Sequence, residues 1–376
     1  MHRLLDAIFP LQLRAQFWRL LSTPARRRFQ RHLETIGLKP RRFCPVLNYG
    51  DAEQPDSAGL IHGGRVKLLH LAEEFSPSVA DFNLLYLVSS APPKYALELV
   101  EWAKKCGAKF VWNQNGVAYP AWFGARVEEI NGPMQALRAQ ADFIFYQSDF
   151  CRDCAERFLG EVRTPHEIAY NCVDTAHFNL AEPCDTDVCQ LLAAGSHHES
   201  YRVISVLEMV AELKRRHFPV VLHLAGRFLW EGAEKEVAAK LRERGIAGMV
   251  HRIPPYRQED APGIYQQAHI LLHPKYKDPC PTVPIEAMAC GVPVIGSASG
   301  GMPELVSPDA GILLPVPESW EQNHWPSAAA TADAVQYIMQ RWPHYRSAAR
   351  ARAESCFSKE QWVAQHRRVF GTLVPA

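Results

Sequence analysis

Apolar runs of strand length alternate with amphipathic stretches of helical length, and the alternation occurs twice along the chain. In the first run, residues 43–50, 82–90, 109–116, 142–148 and 166–171 read as strands, with helices over 66–75 and 94–107. The second run places strands at 188–195, 219–226, 249–254 and from Leu271, with helices over 201–216, 234–245 and 261–268. The strands are near-continuously apolar, the pattern of parallel strands covered on both faces. A chain of 376 residues is too long for one ordinary core and suits two such units. The expected fold is therefore α/β, with two doubly wound parallel sheets facing a shared cleft.

The expected division has a basic helical arm over 1–42, a first Rossmann-like domain over 43–178, a second over 179–355, and an amphipathic terminal helix over 356–376. Charge is uneven. The arm carries ten Lys and Arg against two acidic residues, a surplus of eight, so the rest of the chain is net negative although the total is +1. Leu4, Leu5, Ile8, Leu11, Phe17, Leu20 and Leu21 fall at helical spacing, with Pro10 and Pro24 dividing the arm. Three readings of it stay open: helices packed on the first domain, a peripheral contact with an anionic membrane surface, or nucleic-acid binding, for which no reading module is present. No apolar run reaches the roughly 18 residues of a membrane-spanning helix, and the expectation is a cytoplasmic protein, peripheral to the inner face of the membrane if the arm binds lipid. The ten cysteines are dispersed and expected to be reduced. Cys151 and Cys154 have half-site spacing without a second pair, so helix packing is expected of them.

The segment from Leu271 to Val316 carries the most chemistry. It reads as strand, polar loop, short helix, strand, glycine loop, helix start and strand. Asp278 and Glu286 lie in it, near the carboxyl end of a parallel strand. A carboxylate there can accept both hydrogen bonds of a ribose diol, and helix N-termini offer free N–H groups to phosphate. The expected ligand is a sugar nucleotide.

The run IEAMACGVPVIGSASGGMPELV, followed by AGILL, resembles the donor-binding signature of the retaining GT-B glycosyltransferases of family 4, also called group 1. YNCVDTAHF at 170–178 is similar to the short signature that ends the N-terminal domain of that family. SKEQWVAQHRRVF resembles its closing helix, which crosses back to the N-terminal domain. The likeness covers roughly residues 43–370. It implies a nucleotide-holding C-terminal domain and an acceptor-holding N-terminal domain.

It also implies roles for single residues. Glu286 would accept the ribose hydroxyls. Asp278 stands where the family has a glutamate near the donor sugar, and Thr282 and Val283 open the helix that meets the diphosphate. Pro279–Thr282 replaces the customary glycine-rich turn. Ser196 takes the place of an expected arginine, leaving Arg202 and Arg227 as the phosphate cations, with His197 and His198 as donors if protonated. Gly63 and Gly64, in a loop before the helix near Val66, would let the backbone approach phosphate. Asn115, in an amide-rich run where relatives carry a histidine, would contact sugar or acceptor.

The resulting expectation is a retaining hexosyltransferase that takes a nucleoside-diphosphate sugar as substrate, with no metal or other cofactor required. Its acceptor would be a growing cell-surface polysaccharide or a lipid-linked precursor, and no nucleic-acid partner is expected. A catalytically degenerate sugar-nucleotide-binding subunit remains the alternative. A nicotinamide-dependent oxidoreductase is disfavoured, since no G-x-G-x-x-G follows the first strand.

Overall fold

A computed structural model describes residues 44–50, 63–79, 81–180 and 187–374. The basic arm over 1–42 lies outside the described residues. Among the described residues the strands form two all-parallel sheets, of five and six members.

The first sheet has the order β1 (Leu47–Asn48), β2 (Leu84–Val88), β3 (Lys109–Gln114), β4 (Phe143–Tyr146) and β5 (His166–Ile168). After β1 the chain forms α1 (Gly63–Glu74) and returns along the free edge of β1. There the Leu47 N–H donates to Ser76 O, and the Ser78 N–H donates to Leu47 O. β1 thus has a short neighbour on one side and β2 on the other, and the winding reverses at it. The remaining helices of this half are α2 (Ala96–Lys105), α3 (Pro120–Phe123), α4 (Val127–Arg138) and α5 (Asp149–Leu159). Leu99 of α2, Leu137 of α4 and Cys151 of α5 cover one face with Phe110, Trp112 and Ile144. Cys151 and Cys154 are both core residues of this face.

The second sheet has the order β11 (Gly311–Leu314), β10 (Val294–Ser297), β9 (Ile270–His273), β6 (Cys189–His197), β7 (Val220–Phe228), β8 (Val250–Ile253). Its helices are α6 (Tyr201–Arg215), α7 (Ala233–Arg244), α8 (Ala261–Tyr265), α9 (Thr282–Ala289), α10 (Met302–Leu305), α11 (Ala328–Met339) and α12 (Trp342–Phe357). Leu207, Val237 and Val335 cover one face, and Ile285, Met302 and Ala349 the other. The order in which strands are added reverses between β6 and β9, so their carboxyl ends flank a crevice where ligands of open α/β sheets bind.

The last helix, α13 (Lys359–Leu373), follows the second sheet in sequence but lies on the first. Its Trp362, Val363, Val369 and Phe370 pack with Leu68, Leu71, Tyr86 and Phe145. His366 sits among them, stacked on Phe145 at 4.1 Å and within 3.1 Å of the Tyr86 hydroxyl.

Three details depart from the sequence reading. The first helix begins at Gly63, so Gly63 and Gly64 are its opening turn, not the loop before it. The strand expected over 166–171 ends at Ile168. The strand expected over 188–195 continues to His197, which makes His197 part of the sheet. Among the described residues, no helix is long and apolar enough to cross a membrane.

Candidate functional site

A cavity of about 820 Å³ opens between the carboxyl ends of the two sheets. Asn115, Arg202, Arg227, Asp278, Thr282, Val283 and Glu286 all line it. Gly63 and Gly64 stand at the start of α1, whose Val66 and Lys67 reach the cavity wall.

Its floor depends on two glycines. Gly195 and Gly226 are register partners on β6 and β7, with φ of 122° and 101°. A Cβ on Gly226 would lie 2.1 Å from Gly195 O. Both the backbone region and the contact restrict this position to glycine.

Cations gather around Ser196. Arg202 is nearly buried in the first turn of α6 and donates from Nη1 to Ser196 O at 2.9 Å. Its Nε is buried and has no hydrogen-bond partner among the described residues. Arg227, at the end of β7, reaches to 3.4 Å of Ser196 Oγ. Lys275, which the sequence reading did not single out, lies 3.1 Å from the Asp278 carboxylate and faces the Trp122 ring. His197 is corrected: it is buried in β6 with Nε2 3.1 Å from Ala225 O, and burial drives its pKa down to about 3. The imidazole is neutral at pH 7 and serves the sheet instead of a phosphate. His198 lines the cavity.

Asp278 is buried and accepts from His273 Nε2 at 3.0 Å. Burial pushes its pKa up, but Lys275, His273 and Arg202 outweigh that and hold the carboxyl well below its ordinary range. Its backbone rests on the glycine turn of the signature. A Cβ on Gly300 would meet Asp278 O at 2.5 Å, and one on Gly301 would meet Pro279 O at 2.0 Å. The turn therefore supports the loop from behind.

The proline-bracketed loop is held by the other half of the chain. Ser148 Oγ donates to Pro279 O at 2.7 Å, and Asn171 Nδ2 donates to Cys280 O. The loop leads into α9, where Thr282 and Val283 stand in the first turn and their N–H groups have no acceptor within the helix. Glu286 follows one turn on and is buried. Gln258 Nε2 donates to one of its oxygens at 2.6 Å and the Tyr265 hydroxyl to the other at 2.7 Å. Each oxygen keeps a lone pair for a further donor. Burial raises the Glu286 pKa, partly offset by these two hydrogen bonds.

On the opposite wall the amides form a network. Asn115 Nδ2 donates to Ser90 Oγ at 2.7 Å, and Asn115 Oδ1 accepts from Gln147 Nε2 at 2.6 Å. Both of its polar atoms are engaged, so Asn115 is fixed in orientation. Asn113 Nδ2 donates to Tyr86 OH at 2.9 Å, and Asn113 Oδ1 accepts from Lys67 Nζ at 3.1 Å. Lys67 is buried, and burial lowers its pKa to about 8. The sequence did contain a signal for it: Lys67 precedes Leu71 by one turn, on the apolar side of α1.

Glu304 closes the cleft from behind. Its carboxylate accepts from the Asp149 and Phe150 N–H groups at 2.8 and 2.9 Å and from the Tyr170 hydroxyl at 3.2 Å.

Residues 184–348 match the family model for glycosyl transferases group 1. Among curated proteins, the chain is 30% identical over 116 residues to a D-inositol 3-phosphate glycosyltransferase of Mycolicibacterium smegmatis, covering 31% of this chain. It is 39% identical over 79 residues to one from Mycobacteroides abscessus, covering 20% of this chain. The aligned part spans 25% and 18% of the length of those relatives. Among solved structures, HepE of Anabaena in complex with UDP-glucose superposes with a TM-score of 0.67 at 15% identity, covering 87% of this chain and 99% of HepE. A sucrose-phosphate synthase of Thermosynechococcus elongatus gives 0.66 at 16%, covering 88% and 99%. Residues 184–348 thus resemble glycosyl transferases group 1, and the chain shares the two-domain GT-B fold of these solved structures.

Proposed function

We propose that this protein transfers a hexose-type sugar from a nucleoside-diphosphate donor to a hydroxyl acceptor, with retention at the transferred carbon. The observation that carries the reading is the meeting, in one cavity, of the unpartnered Arg202 Nε, Arg227, Lys275, the start of α9 and the Glu286 carboxylate. Departure of a nucleoside diphosphate develops charge on phosphate oxygens, and fixed cations and N–H groups in a secluded site stabilise that charge. Glu286 would take the ribose hydroxyls, and Thr282 and Val283 would present N–H groups to phosphate. Asp278 would position the sugar beside His273 and Lys275.

Asn115 cannot accept a proton at neutral pH. In this mechanism the leaving phosphate takes the acceptor's proton on the same face of the sugar, while Asn115 orients a hydroxyl. Val117, Trp122, Phe123, Ile130 and Met134 give the first-domain side an apolar wall, which favours a lipid-linked acceptor over a purely polar one. Such an acceptor would bring the enzyme to a membrane surface, where the arm over 1–42 adds a positive surplus.

The HepE structure makes UDP-glucose the first donor to try. Thermal shift across nucleotide sugars, with wild type and Glu286→Ala, tests the site. Stabilisation of the wild type but not of the variant is expected. No response from the wild type, or equal responses, overturns the assignment. Slow release of UDP from UDP-glucose by the wild type is expected; tight binding without hydrolysis or transfer points to a catalytically inactive binding subunit.

A further inference from the structure

Lys67 is a cation with no anionic partner among the described residues. Its side chain is buried at the cavity wall, and Asn113 Oδ1 is its one hydrogen-bond acceptor among the described residues. No carboxylate pairs with it there, and the titratable groups acting on its charge are the thiols of Cys280, Cys172 and Cys151, all pushed up by burial and so uncharged at neutral pH. An ammonium has three donors, and burying it against a single amide oxygen is costly. An apolar residue of the same volume would be the cheaper solution for α1 if the position were only structural.

Its place identifies the missing anion. Lys67 and Cys280 both line the cavity, and Cys280 stands two residues before the first turn of α9. The ammonium therefore faces, from the first domain, the region where the second domain offers Thr282 and Val283 N–H groups to phosphate. Ser196, where the sequence resemblance implied a cation, leaves the second domain short of one positive group. We propose that Lys67 contacts the diphosphate of the bound donor across the cleft and stabilises the departing nucleoside diphosphate, supplying the charge that Ser196 does not. This rests on the glycosyltransferase reading above. The ammonium stays protonated and no bond to it forms or breaks.

The test is calorimetric titration of wild type and Lys67→Met with UDP, GDP and ADP, then with the monophosphate and nucleoside of the tightest binder. The expected result is a loss of about tenfold or more in diphosphate affinity, a smaller loss for the monophosphate and none for the nucleoside. The unfolding temperature of the variant is expected to hold or rise, because an uncompensated buried charge is removed. Should Lys67→Met not fold, Lys67→Gln keeps a donor to Asn113 without the charge and gives the same readout. Equal diphosphate affinity in wild type and variant overturns the role of Lys67 alone. A wild type that binds none of the three diphosphates overturns the glycosyltransferase reading and this inference together.

Discussion

Ser148 Oγ donates a hydrogen bond to the carbonyl oxygen of Pro279 at 2.7 Å, joining the start of α5 to the loop that carries Asp278. The same hydroxyl oxygen accepts from the Cys151 N–H at 3.0 Å and so caps α5. One side chain thus ends a helix in the first half and positions the donor loop of the second. The two prolines make physical sense in that setting. Proline fixes φ and offers no N–H, so Pro279–Cys280–Pro281 presents carbonyls outward for Ser148 and Asn171 to grasp. Glycines would leave that loop freer than a docked loop needs.

Glu304 is the counterpart of that contact, and Glu304→Ala is expected to weaken the joint between the two halves. The variant loses a charged acceptor for two N–H groups at the start of α5 and for Tyr170 OH. The loss should be about 1 to 2 kcal/mol in denaturant unfolding. Unchanged stability would show that water replaces the carboxylate without penalty.

Gly226→Ala should damage both fold and site. The new methyl would stand 2.1 Å from Gly195 O, at a φ of 101° that an L side chain rarely adopts. A cost of about 3 kcal/mol or more is expected from strain and overpacking together. Unfolding curves would read the first effect. Nucleotide titration of the folded fraction would read the second, because Arg227 is the next residue.

Asp278→Asn removes the counter-charge of Lys275 and leaves His273 a neutral amide oxygen in place of a carboxylate. The folded carboxyl has a depressed pKa, so its stabilisation is present above the unfolded value and lost as pH falls through the folded one. At pH 7 the variant should be less stable by about 3 kcal/mol. The gap should narrow as the pH is lowered below about 4. A gap that stays constant with pH would contradict this electrostatic account.

His366 gives the fold an acid limit. Burial beneath the first sheet lowers its pKa to about 3, whereas an exposed histidine titrates near about 6.5. Its contribution is therefore fully present above the unfolded value and erodes as pH falls towards the folded one. His366→Gln should flatten the loss of stability between about pH 6.5 and 4, measured by urea unfolding at several pH values. An identical acid slope in the variant would exclude the imidazole as its source.

Much of the architecture was legible because local physics wrote it. Runs such as LLYLV in β2 and ILLH in β9 are apolar on both faces, which only a covered parallel strand requires. The site was legible where residue type and spacing suffice: Asp278, Glu286, Arg202 and Arg227 do line one cavity. Lys275 stands three residues before Asp278 but its direction is set by the loop's turn, and Gln258 and Tyr265 meet Glu286 only when separate elements converge. His197, a phosphate donor only if protonated, is instead neutral, because sequence alone does not fix where β6 ends and two more strand residues bury the ring.

The amino-acid sequence by itself determined two parallel α/β sheets and the residues able to handle a sugar nucleotide, because strand burial and side-chain chemistry are local properties. Only the tertiary structure decided which groups are charged and which are free. Asp278 is held ionised by Lys275, His273 and Arg202, while burial leaves His197 neutral, and Lys67 has no counter-ion among the described residues. Those outcomes depend on desolvation and on the geometry that turns Lys275 and His273 towards Asp278, buries His197 against β7 and sets Lys67 on Asn113, none of which the order of residues states.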